Sequence, residues 1–199
     1  MTTFIQKRIL KPGMVSHFTR SRSAKAFICL PEAHSVGIMA DVRKPGSVQP
    51  VVSFARSIHK TDRRCHIILL VPEKRKEIIP YDYEKNFPGM PVQLIGIDDM
   101  SIFKVPKRVL SQPFTSAKFD IVFFLETAEN FSLETILYHS QAKMFAGAAG
   151  LCSGLLDFEI EINERSDIPY LAENLIKYLQ KQSAKQVAQS PDSDKFILF

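Results

Sequence analysis

Residues 66–71, HIILLV, are apolar almost from end to end, and residues 119–125, FDIVFFL, nearly so. A strand with one wet face alternates apolar and polar side chains. A run without alternation suits a strand covered on both faces, as in a parallel sheet. Between such runs the period changes. Val36 to Ala40 is a compact apolar run ending in Asp41, and the turn VRKPGS follows. From about Val48 to His59, Val51, Phe54, Ala55 and Ile58 then share one helical face, with Pro50 tolerated in the first turn. Strands alternating with helices mean βαβ units. The expectation is a three-layer, Rossmann-like α/β domain with a mostly parallel sheet of five or six strands.

The rest of the chain extends this pattern unevenly. Val92 to Ile97 reads as the third strand, and Phe119 to Leu125 as the fourth. Helical spacing of Leu133, Ile136, Leu137 and Met144 predicts a helix from about Ser132 to Met144, and Phe145 to Ala149 a short strand of small residues. Leu156 to Ile162 alternates Leu156, Phe158, Ile160 and Ile162 with Asp157, Glu159 and Glu161, which predicts an edge strand with one wet face. IPYLAENLIKYLQ is the last helix, with Ile168, Leu171, Leu175 and Leu179 inward. Residues 73–91 are charged and turn-rich, and residues 100–118 admit only a short helix.

Three segments result: a basic arm over residues 1–33, the α/β domain over 34–182, and a polar tail over 183–199 that ends in the apolar FILF. Of the 26 bases, six lie in the arm: Lys7, Arg8, Lys11, Arg20, Arg22 and Lys25. Glu32 is the arm's one acid, so the whole formal charge of +5 belongs to it. Such an arm suits phosphate, on nucleic acid or on an anionic membrane, or a larger assembly. Phe196 and Phe199 of the tail are the other candidate partner contacts. No apolar run approaches the ~20 residues of a membrane helix, and the N-terminus lacks a secretory h-region. Cys29, Cys65 and Cys152 form no CxxC pair, against a disulfide framework or a zinc site. A cytoplasmic location is expected. The sequence leaves the oligomeric state open.

In open α/β sheets ligands bind beyond the carboxyl ends of the strands. That rule selects Asp41, Arg43, Lys44 and Ser47 after strand one, Asp98 and Asp99 after strand three, and Glu126 after strand four. Clustered carboxylates can hold Mg²⁺ through oxygen, although acids at strand ends are also ordinary turn residues. VRKPGS precedes a helix N-terminus, where backbone N–H groups favour anions. It is neither GxGxxG nor a P-loop. GAAGLCSG does not match GxSxG, and Gly147, Gly150 and Gly154 read as turn-formers. The five histidines are scattered, and no nucleophile–base pair can be read. No cofactor or resident metal is therefore expected. The first expectation for function is a non-enzymatic binding or accessory module working through its basic arm. The alternative is a small ligand-binding protein or enzyme, nucleotide- or sugar-nucleotide-related, working at the sheet edge.

The run KAFICLPEAHSVGIMAD, followed by strand–helix–strand and by KFDIVFFLETAENFSLETILYHSQAKMFAG, resembles a family of uncharacterised small bacterial α/β proteins that also begin with a basic leader. The likeness covers about residues 25–182 and implies a fold, with no established activity. More distantly, FDIVFFLETAENFSLETILYHSQAKMFAG is similar to the N-terminal Rossmann-like half of the lipopolysaccharide heptosyltransferases. Those enzymes often carry an Asp two places before the position of Glu126, where this chain has Phe124.

Overall fold

In a computed structural model, residues 27–59, 63–162 and 167–181 are described, with the backbone of 196–198. The arm residues Lys7, Arg8, Lys11, Arg20, Arg22 and Lys25 and the terminal Phe199 lie outside them. The strands are β1 (Ser35–Asp41), β2 (Arg64–Leu70), β3 (Val92–Ile95), β4 (Lys118–Phe124), β5 (Gln141–Ala148) and β6 (Phe158–Ile160). All pair in parallel, in the order β3-β2-β1-β4-β5-β6. The backbone of Phe196–Leu198 (β7) continues the sheet beside β6, so that part of the FILF tail runs along its own domain. The helices are α1 (Val48–His59), α2 (Pro80–Glu84), α3 (Arg108–Thr115), α4 (Phe131–His139) and α5 (Ile168–Lys181). No described helix is long and apolar enough to cross a membrane.

Successive strand residues point to opposite faces, and both faces are covered. Val36, Ile38, Ile67, Leu69, Ile121 and Phe123 pack with Val51 and Phe54 of α1 and Leu171 and Leu175 of α5. Met39, Ile68, Leu70, Val122 and Phe124 pack with Phe114 of α3 and Leu133, Ile136 and Leu137 of α4. This is the three-layer arrangement the uninterrupted apolar runs demand. The β1–α1–β2 unit steps one way along the sheet and β4–α4–β5 steps the other. A single crossover hand then puts α1 and α4 on opposite faces, as observed.

Four expectations need correction. The fourth-strand helix ends at His139, and Met144 lies in β5. Ser140 breaks the helix, and its hydroxyl donates back to the Ile136 carbonyl at 2.8 Å. The wet face assigned to residues 156–162 does not exist, because Asp157 and Glu159 are buried. Asp157 has structural work there, its carboxylate accepting the Phe145 N–H at 2.8 Å. Gly147 is a β5 residue rather than a turn-former, and a Cβ on it would stand 2.9 Å from the Phe124 carbonyl oxygen. Finally, Cys29, Leu30 and Ala33 are buried within the domain. The Arg63 guanidinium fixes this stretch through the Leu30 and Ala33 carbonyls at 2.9 and 3.0 Å. Packing against the sheet therefore starts before residue 34.

Candidate functional site

β1 stands between β2 and β4, where the direction of chain progression reverses. At such a switch point the loops leaving two neighbouring strands diverge to opposite faces and open a crevice. Here the crevice is a cleft of about 410 Å³. Asp41, Arg43, Lys44 and Ser47 enter it from the end of β1, and Glu126 and Asn130 from the end of β4.

Local sequence explains each placement. Lys44-Pro45-Gly46-Ser47 is a tight turn closed by the Ser47 N–H on the Lys44 carbonyl at 3.2 Å. Gly46 sits at φ +80°, the conformation glycine supplies in a type II turn after proline. The Ser47 hydroxyl donates to the same carbonyl at 2.5 Å. Asn130 is the N-cap of α4, with its side-chain oxygen accepting the Leu133 N–H at 3.3 Å. Its amide nitrogen is left to face the carboxylates.

That nitrogen donates to Asp41 Oδ2 at 2.9 Å and reaches Glu126 Oε2 at 3.5 Å. Glu126 Oε1 accepts the Asp41 backbone N–H at 2.6 Å. Arg43 closes on Asp41 through its backbone N–H at 3.0 Å and through Nε at 2.8 Å, while its Nη2 forms the ion pair. One amide thus bridges two acids, of which only Asp41 has its own guanidinium.

The two acids differ accordingly. Burial works to raise the Asp41 carboxyl, but the Arg43 contacts and the Asn130 amide outweigh it and hold that carboxyl below its ordinary value. For Glu126 burial dominates, the Asp41 charge adds to it, and the carboxyl is pushed up to about 7. A carboxyl so placed exchanges a proton near neutrality, as proton-transfer groups must. Two cations, Lys44 and Lys104, also line the cleft. Lys104 adopts φ +57°, and its carbonyl accepts the Ser132 hydroxyl of α4 at 2.8 Å.

Five of the six candidate ligand residues therefore share one cleft. Asp98 does not, although Lys104 of the same β3–α3 connection does. Its carboxylate accepts the Arg75 N–H at 2.6 Å, which chiefly holds it below its ordinary value. Asp99 is likewise tied to its own turn, accepting the Gly96 N–H at 2.9 Å. Among the described residues no cluster of three or more acids, histidines or cysteines is arranged to hold a metal ion. Asn130 and Lys104 were not foreseen. An Asn standing four residues after Glu126 and just before FSLETILYH is a readable cap signal, whereas nothing in the sequence marks Lys104.

Residues 4–181 match the model of a family of unknown function, DUF6913. The chain belongs to this family. No curated protein and no solved structure matches it.

Proposed function

We propose that this protein binds a small polar ligand at the carboxyl ends of β1 and β4. The observation that carries this reading is the meeting of Asp41 and Glu126 on the single amide of Asn130, inside an open cleft. Two acids bridged this way match a ligand's hydroxyl or amino groups, and Lys44 and Lys104 match an anionic group on the same molecule. A sugar phosphate or nucleotide-related ligand has both. The likeness of residues 119–147 to the heptosyltransferase strand–helix–strand is compatible with this class and does not assign a reaction. Calorimetric titration with nucleotides, sugar nucleotides and sugar phosphates tests the proposal. Saturable binding that Glu126→Gln and Asp41→Asn each weaken at least tenfold is expected. Equal affinity in both variants for every binder sinks it.

Charge segregation in the sequence supports a second reading, in which the N-terminal segment contacts an anionic partner or assembly. All six of its bases fall within residues 1–26, which hold no acid. Deleting 1–26, and not the packed stretch that follows, should abolish binding to RNA; unchanged binding removes the idea. The three buried cysteine thiols suit a reducing compartment such as the cytoplasm.

A further inference from the structure

We propose that the hairpin between β3 and α3 docks the protein on an anionic lipid surface. The Met100–Pro106 bridge forms its ladder, and the Lys107 N–H on the Asp99 carbonyl at 2.9 Å closes its base. The tip is Ile102-Phe103-Lys104, turned by the Lys104 N–H on the Ser101 carbonyl at 2.8 Å. The Ser101 hydroxyl accepts the Phe103 and Val105 N–H groups, both at 3.2 Å, so the tip has a defined shape.

Its side chains are on the wrong side of the usual division. Ile102 is 84% exposed, and Val109 and Ile97, flanking the base, are 70% and 46% exposed. Ordinary surfaces carry isolated apolar residues, but Ile102 stands at the turn of a hairpin whose shape is fixed by its own hydrogen bonds. Charge identifies the contact. Lys107 and Arg108 follow the tip and are exposed, as are Lys74 and Lys76 of the neighbouring turn. Two acids are exposed beside them, and both are engaged: Asp98 takes the Arg75 N–H, Glu77 takes the Lys74 N–H at 3.4 Å, and the Lys107 ammonium rests on the Asp98 carbonyl at 3.2 Å. An apolar tip with bases beside it matches acyl chains beneath anionic headgroups, whereas a nucleic acid would leave Ile102 unused.

The full chain is sedimented with phosphatidylcholine vesicles and with phosphatidylcholine–phosphatidylglycerol vesicles. Binding to the mixed vesicles alone is expected. Ile102→Asp should lower that partitioning about tenfold, and Lys107→Glu with Arg108→Glu by at least as much, since reversing two bases turns attraction to the headgroups into repulsion. Ile102→Leu should retain it. Thermal melts matching wild type exclude unfolding as the cause. No binding to either vesicle, or full binding by both the Ile102→Asp protein and the double variant, overturns the proposal. So does binding to RNA with none to vesicles.

Discussion

The β1–β4 seam is fastened at each end by a carboxylate that accepts backbone N–H from β1 or the residue before it, and the two ends have opposite electrostatics. At the amino end, Asp120 Oδ2 accepts the His34 and Ser35 N–H groups at 2.9 and 3.1 Å, and Lys143 pairs with Oδ1 at 2.7 Å. Burial pushes against that charge, but the Lys143 contact and the two N–H groups outweigh it, and the carboxyl sits below its ordinary value. At the carboxyl end Glu126 accepts one β1 N–H, shares an amide with Asp41, and rises to about 7. The backbone device is the same. A dedicated cation turns one copy into a fastener, and a competing acid turns the other into a group poised to change state. Residues that a fold needs are satisfied, whereas residues that a site needs are left with something to do.

Removing what both ends share should have the largest effect. Phe123 is fully buried in the middle of the seam, edge-on to Phe54 with ring centroids 5.0 Å apart. Phe123→Ala should cost about 3–5 kcal/mol in urea unfolding. Asp120→Ala leaves two N–H groups without their acceptor and should cost about 1–3 kcal/mol. Because the Asp120 carboxyl is depressed in the folded state, its contribution is full above the unfolded value and disappears as pH falls through the folded one. Acid titration of Asp120→Asn should therefore lack part of the wild-type decline; an identical decline would show that the Lys143 contact contributes nothing.

Glu126→Gln should act in the other direction. The raised folded value means that the folded state holds the Glu126 proton more tightly, so the wild type loses stability as pH rises from about 4.5 to about 7. The glutamine keeps an oxygen for the Asp41 N–H and should gain about 1–2 kcal/mol at about pH 8, with little change at about pH 4. Loss of stability at both values would reduce the two ends to the same kind of fastener. Asn130→Ala has the smallest expected effect, about 1 kcal/mol for the lost cap. Its sharper readout is the Glu126 titration by carboxyl NMR, which should move upward once the bridging amide is gone.

Strand-length apolar runs made β1, β2 and β4 legible, and the α1 stripe of Val51, Phe54 and Ile58 was equally plain. The junction of α4 and β5 was not, since Met144 continues the helical spacing of Leu133 and Leu137 although Ser140 has already turned the chain. Residues 73–91 were opaque because they fold into short turns held by backbone contacts rather than by periodic burial. Asp41 and Glu126 were found because they end strands. Grouping Asp98 with them failed because its carboxylate is taken by the Arg75 N–H, a contact between two turns that no local pattern encodes. Asp120 was overlooked because it interrupts an apolar strand, and its purpose shows only when His34 and Ser35 arrive from more than eighty residues earlier in the chain.

Arg75 bears on the opposite border of the sheet. Its guanidinium takes the Leu94 carbonyl at 2.9 Å, on the side of β3 that no strand among the described residues occupies. An incoming extended peptide finds that acceptor already engaged and a fixed positive charge in its path, so the sheet is poorly suited to templating further growth from this side. A single arginine thereby gives the fold some protection against fibrillar self-association when the protein is crowded.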